Sequence, residues 1–218
     1  MTSTESKDAK VPLFKNPFAI AFVLGALFLT ALGPLQEALL TSAPEPLYDV
    51  APWSLVDETG APIGSETLAG KVVVADFFFT RCPSVCPKLT AAMASTAEHL
   101  SPLGDDVAFV SFTVDPTTDT PEVLRAHRQK LSLGDTRWHF ATGSADDVRA
   151  TLVDKLKMGV GERTPVEGAE TFYDIAHQNR FLLLDQKGRA RALFPVDEEG
   201  LRALIGAVRL LVRKGPEA

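Results

Sequence analysis

The chain has two cysteines, Cys82 and Cys86, and both fall in one short stretch, TRCPSVCPK, immediately after the apolar run VVVADFFF. Thiolates are the soft ligands and the nucleophiles of proteins. A close pair can therefore hold a soft metal ion, close a reversible disulfide, or form half of a structural metal site. The CxxxC spacing alone leaves these open, because it makes room for an ion between the sulfurs and still lets them join. A further ligand would tip the balance toward metal, and the chain offers His99, His127, His139 and His177. His99 and His127 stand among charged neighbours on expected helices and read as solvated. His139, in TRWHF, reads as a packed or half-exposed strand residue. His177, in YDIAHQNRFLLLD, directly precedes an expected strand. It is the candidate third ligand if the fold carries its loop over the cysteines.

The elements that must position these residues follow from periodicity. Residues 71–79 form an unbroken β-branched and aromatic run, the pattern of a central strand covered on both faces. Pro87 suits the first turn of a helix, which continues with Leu89, Met93, Ala97 and Leu100 at helical spacing. Residues 107–115 read as a second buried strand, giving a parallel strand-helix-strand unit with a right-handed crossover. Thr120 and Pro121 mark the cap and first position of another helix, residues 138–142 a short strand, and Ser144 with Asp147 a capping-box-like start for a helix to about residue 156. The Gly-rich segment 158–175 reads as an inserted loop or hairpin, RFLLLD-QKG-RARALFP as an antiparallel hairpin, and residues 198–212 as a closing amphipathic helix. WSLVDETGAPIG makes a small hairpin ahead of the core. This order predicts an α/β protein with a thioredoxin-like fold and an N-terminal hairpin extension. Functional residues of such open sheets gather at the carboxyl ends of the central strands, where Cys82 and Cys86 fall. Cys86 would begin a helix, whose unpaired N–H groups favour a thiolate, and Arg81 and Lys88 act in the same direction.

Ahead of this domain, residues 17–35 carry no charge and reach the roughly 20 residues that span a bilayer as a helix. Lys7, Lys10 and Lys15 precede the run and Glu37 is the first acid after it, so the positive-inside rule puts the N-terminus in the cytoplasm and exports the rest. A cleaved signal is the alternative, but Thr41-Ser42-Ala43 followed by Pro44 makes a poor cleavage site. The expected organisation is a cytoplasmic tail over 1–16, a transmembrane anchor over 17–40, a Pro-rich linker over 41–51, a thioredoxin-like domain over 52–213 and a short tail over 214–218. Export makes the redox state of the cysteines a variable. The net charge of −6 and the absence of a basic, aromatic-interleaved patch exclude nucleic acid as a partner.

Two thiolates and one imidazole would make a low-coordinate soft site that suits Cu(I) and, with a weak extra ligand or water, Cu(II). A closed zinc site would call for a fourth ligand, and no third cysteine exists. The ordered set TRCPSVCP, FTVDPTTDTPEVL, TRWHFATG and IAHQNRFLLLD resembles the Sco/SenC family of membrane-anchored, thioredoxin-like copper chaperones from Trp53 onward. The resemblance implies that Cys82, Cys86 and His177 are copper ligands. It also implies a role in metallating the dinuclear copper centre of cytochrome c oxidase, by delivering copper to the recipient subunit or reducing its cysteines. An upstream copper donor or thiol reductant and a single-pass place in a bacterial inner membrane, with the domain on the periplasmic side, come with it. Asp115 and Asp119 match the family pattern, as a strand-end residue near the site and as turn and cap residues. One departure stands out: many relatives have an acid directly before the histidine, and here that place holds Ala176, with Asp174 two residues earlier. A carboxylate that would orient the imidazole is missing or moved. An enzymatic alternative is a thiol-disulfide oxidoreductase in which Cys82 and Cys86 exchange and His177 tunes them; a redox sensor is a third reading. Only Met93 and Met158 lie in the domain, so copper transfer would run by ligand exchange at the cysteine loop.

Overall fold

The computed structural model describes residues 17–40, 43–82, 86–131, 137–165, 173–177 and 179–216. The expected tail 1–16, linker positions 41–42, the loop interior 83–85, the interior 166–172 of the inserted segment and residues 217–218 lie outside the described residues, as does the side chain of Cys86. Two units are distinguished, Met1–Ser42 and Ala43–Ala218.

In the first unit, Pro17–Leu40 (α1) is a helix of 24 residues, about 36 Å long at 1.5 Å per residue. Phe18, Phe22, Leu24 and Phe28 are exposed along it. Among the described residues no helix is long and apolar enough to cross a membrane. The side chains of residues 31–40 lie outside that description, so the anchor expectation rests on the charge-free sequence.

The second unit is built on a six-stranded sheet. Its chain order is Tyr48–Asp49 (β1), Ser54–Val56 (β2), Pro62–Gly64 (β3), Val72–Phe78 (β4), Cys86–His99 (α2), Val107–Thr113 (β5), Pro121–Lys130 (α3), Trp138–Ala141 (β6), Ala145–Arg149 (α4), Arg163–Pro165 (β7), Tyr173–Ile175 (β8), Arg180–Leu184 (β9), Arg189–Pro195 (β10) and Glu198–Lys214 (α5). The sheet order is β1-β10-β9-β4-β5-β6, while β2-β3 and β7-β8 are separate two-stranded ribbons. Every residue of β4 and β5 is buried, as the unbroken apolar runs require of strands with both faces covered. β4 pairs with β5 and β5 with β6 in parallel, whereas β9 joins β4 antiparallel. The crossovers through α2 and α3 step the same way across the sheet, so right-handedness puts both helices on one face. Phe78 points to that face and stacks on His127 of α3 at 5.7 Å. Phe77 and Phe112 occupy the opposite face, where Trp53 meets Phe112 edge-on at 5.0 Å. This is the thioredoxin-like arrangement, with the β2-β3 hairpin as its N-terminal extension.

The helix starts are locally encoded. Thr120 accepts from Val123 N–H and is followed by Pro121; Ser144 accepts from Asp147 N–H at 3.1 Å; Asp197 accepts from Gly200 N–H at 2.7 Å. The helix after Ser144 widens its register at Ala150 and continues to Lys155 as a π-helical turn. The stretch read as a linker contributes a strand: Tyr48 pairs with Ala190, Leu47 N–H donates to Ala190 at 2.7 Å, and Ala43 is buried. Prolines between such short segments are compatible with a sheet edge, where outward N–H groups are not needed. At the other edge, Arg128 donates to the Trp138 carbonyl, Glu58 accepts from Phe140 N–H at 2.9 Å, and Thr142 exchanges both backbone hydrogen bonds with Val56.

Candidate metal centre

The cysteine loop leaves the carboxyl end of β4. Cys82 is buried and its N–H donates to the Phe79 carbonyl at 3.2 Å, a tight turn directly after the strand. Cys86 is the first residue of α2, so its backbone lies where a helix leaves N–H groups unpaired and favours negative charge. The loop is clamped at its root by Asp119, which is fully buried. The Asp119 carboxylate accepts from Thr80 N–H at 3.1 Å, from the Thr80 hydroxyl, and from the Thr113 hydroxyl at 2.6 Å. Burial raises the Asp119 pKa, the Asp115 charge adds to the rise, and hydrogen bonds from Thr113 and Thr80 oppose it.

His177 follows the β7-β8 ribbon, the expected inserted hairpin. Its Nδ1 lies 2.6 Å from the Ile175 carbonyl. A carbonyl only accepts, so Nδ1 is the donor, and in the neutral imidazole Nε2 is then the nitrogen that holds a lone pair. That Nε2 has no exposed surface and no hydrogen-bond partner among the described residues. The ring stands edge-on to Phe79 at 5.9 Å, so Phe79 contacts both the imidazole and, through its carbonyl, the Cys82 N–H. The Asp174 carboxylate is turned back onto the Ile175 N–H at 2.9 Å. The imidazole is thus oriented by a backbone carbonyl.

Another metal-capable group lies elsewhere: Asp57, Glu58 and His139 hold potential ligand atoms within 4.8 Å of one another. The carboxylates are largely engaged already, and His139 Nδ1 faces Asp57 Oδ2 at 3.5 Å. Asp57 Oδ1 accepts from Thr59 N–H and hydroxyl and from Ala61 N–H. Glu58 accepts from Phe140 N–H and pairs with Arg128 at 3.4 Å. The cluster ties the β2-β3 hairpin to α3 and β6, and with a guanidinium in it, it is a poor cation site.

His127 departs from the solvated reading. Its ring packs between Phe78 and Phe140, and its Nε2 is buried without a partner among the described residues. Burial lowers its pKa, with repulsion from Lys130 adding to the effect. It lines a groove of about 360 Å³ between α2 and α3 together with Cys82, Phe79, Ala94 and Leu131. His99 is exposed and bonds the Ser95 carbonyl on its own helix. Asp76 was also unforeseen. It is a lone acid in the apolar β4 run, 1% exposed, and burial lifts its pKa to about 7 against a hydrogen bond from Ser111. Ser111 in turn accepts from Trp138 Nε1–H at 2.8 Å.

Residues 42–212 match the family model described as SCO1/SenC. The chain belongs to the SCO1/SenC family. A SCO1 protein homolog of Bacillus subtilis is 33% identical over 165 residues, covering 75% of this chain and 79% of its own. The solved structure of BsSco, described as a Sco-family cytochrome c oxidase assembly protein with a disulfide switch, is 28% identical with a TM-score of 0.64, covering 78% of this chain and 97% of that one. Bradyrhizobium japonicum ScoI, solved with copper bound, shares the fold at a TM-score of 0.63 and 23% identity, over 75% of this chain and 99% of its own. The six-stranded sheet is therefore that of a SCO1/SenC chain.

Proposed function

We propose that this chain is a membrane-anchored metallochaperone that binds copper through Cys82, Cys86 and His177 and helps assemble the dinuclear copper centre of cytochrome c oxidase. The observation that carries the reading is the His177 imidazole: Nδ1 is committed to the Ile175 carbonyl, and the unpartnered Nε2 lies in the ring that Phe79 contacts at the root of the cysteine loop. A buried acceptor with no donor is costly unless something occupies it, and a cuprous ion held by two thiolates would do so. Copper is cargo here, taken from an upstream donor and passed to the copper-receiving subunit by ligand exchange. The charge-free run at 17–35 supports a single-pass anchor with the domain on the periplasmic side of a bacterial inner membrane.

A second reading has its own support. Cys86 at the first position of α2 and Cys82 four residues before it suit thiol-disulfide exchange, and the relative BsSco is described by a disulfide switch. The pair would then reduce the recipient's cysteines. Titration of the reduced full chain in detergent with Cu(I) against a competing chelator separates the two. One copper per chain is expected, with affinity falling at least about tenfold in His177→Ala and binding abolished in Cys82→Ser. Unchanged copper binding in His177→Ala, beside reductase activity that Cys82→Ser abolishes, would replace the chaperone reading with the enzyme one.

A further inference from the structure

The β7-β8 ribbon that carries His177 is not hydrogen-bonded into the six-stranded sheet among the described residues. Its internal register is firm: Arg163 faces Ile175, Thr164 faces Asp174, and Gly161 N–H donates to the Ala176 carbonyl at 2.7 Å. The contact at Gly161 is close enough that a Cβ there would stand 3.0 Å from the Ala176 Cβ. Residues 175 and 176, immediately before the histidine, are therefore held by 163 and 161. Side chains must orient the ribbon as a whole. Ile175 is buried. Arg163 reaches out of β7 to the turn after β5, where Nη2 donates to the Asp115 carboxylate, to the Thr117 hydroxyl at 2.6 Å and to the Thr118 hydroxyl at 3.0 Å.

The turn that receives Arg163 is the one that clamps the cysteine loop. Asp119 holds Thr80, two residues before Cys82. Asp115 and Asp119 are joined by Asp119 N–H donating to the Asp115 carbonyl at 2.9 Å, with Thr118 N–H on the same oxygen at 3.0 Å. Both carboxylates are buried. A path of hydrogen bonds thus runs from the root of the cysteine loop through Asp119 and Asp115 to Arg163, and across one ribbon rung to the residue whose carbonyl orients His177.

We infer that Arg163 is a positioning residue for His177, and that the Asp115–Asp119 turn is the common mount on which the cysteine loop and the histidine ribbon are set relative to one another. The inference rests on the reading of His177 as a copper ligand. All three contacts converge on Nη2, whose two N–H groups are shared among one carboxylate and two hydroxyls; an ammonium brings three N–H groups to one nitrogen but lacks the planar guanidinium, so lysine should restore the joint only in part. Arg163 is the member to test, since its side chain is 46% exposed against 2% for Asp115, so its removal leaves the core intact.

The test compares the full chain in detergent as wild type, Arg163→Ala, Arg163→Lys, His177→Ala and Arg163→Ala/His177→Ala. Two readouts are used. Without metal, amide hydrogen exchange at Gly161 should quicken by about tenfold or more in Arg163→Ala, the scale set by losing hydrogen bonds to a charged group, while amides of Val72–Phe78 keep their protection. With Cu(II), nitrogen hyperfine structure in the electron paramagnetic resonance spectrum should be present in wild type, reduced in Arg163→Ala and partly restored in Arg163→Lys. Copper affinity should fall in Arg163→Ala by a factor no larger than in His177→Ala, with no further loss in the double variant. Wild-type exchange and hyperfine structure in Arg163→Ala, or losses that multiply in the double variant, overturn the positioning role. A wild type without nitrogen hyperfine structure refutes the ligand reading itself and the inference with it, an outcome distinct from failure of Arg163 alone.

Discussion

Replacing Asp76 with asparagine should make the protein more stable, and more so the higher the pH. Asp76 is 1% exposed in the middle of β4, its Oδ1 has no partner among the described residues, and its pKa is lifted from 3.8 to about 7, chiefly by burial. The folded state therefore binds this proton more tightly than the unfolded state. Below pH 4 both states hold it and pH has no effect through this group. Between pH 4 and 7 the unfolded chain releases it while the folded chain keeps it, so stability falls by about 1.4 kcal/mol per pH unit. Above pH 7 both are ionised and the penalty levels off on the order of 4 kcal/mol. Asparagine mimics the protonated acid in shape and carries no such penalty. Urea unfolding followed by the fluorescence of Trp53 and Trp138, both buried, measures the difference. The gap between Asp76→Asn and wild type should widen by about 3 kcal/mol from pH 5 to pH 8. Effects of other titrating groups cancel in that gap. Parallel stability curves across this range would show that the carboxyl is not held protonated by its surroundings and would refute the reasoning.

Asp119→Ala leaves the donors of Thr80 and Thr113 without their acceptor and should cost about 3 kcal/mol in urea unfolding. His127→Phe keeps the aromatic packing and removes a buried nitrogen. Because burial lowers the pKa of His127 from 6.5, the unfolded state takes up the proton first as pH falls below that value, and wild type is destabilised there. The thermal midpoint of His127→Phe should therefore exceed wild type by more at pH 5 than at pH 7.5. Gly200→Ala would place a Cβ 2.2 Å from the Pro195 carbonyl oxygen, and the forced separation of α5 from β10 should lower stability by about 2 kcal/mol, read as a drop in urea midpoint.

The sheet and its crossovers were legible because their signals are local. The runs at 71–79 and 107–115 admit no solvent-facing side, and Thr120-Pro121 and Ser144 announce helix starts within a few residues. What resisted reading depends on distant partners. Tyr48–Asp49 looks like spacer because its strand character comes from Ala190. His127 looks solvated because its flanks are charged, and only α3 docking onto Phe78 buries its ring. Arg163 carries no signal at all, since its value lies in meeting Asp115 across 48 positions. Asp76 did leave a trace, as the one charge in an otherwise apolar β4. For the candidate site, spacing and fold order single out the cysteine pair and, among four histidines, His177 as candidates. The orientation of the imidazole by the Ile175 carbonyl was not legible, because a backbone oxygen has no letter in the sequence.

The outer border of β6 has a consequence for life in a crowded compartment. An unguarded strand border is a template on which another chain can zip itself. Here the Trp138 carbonyl is taken by Arg128, the Phe140 amide by Glu58, and both Thr142 groups by Val56. These capping groups come from α3 and the N-terminal hairpin, so any event that loosens either one uncovers a sticky ribbon of three alternate positions. A variant that weakens Glu58 or Arg128 would then reveal itself first as precipitation at high concentration, before any loss of metal handling.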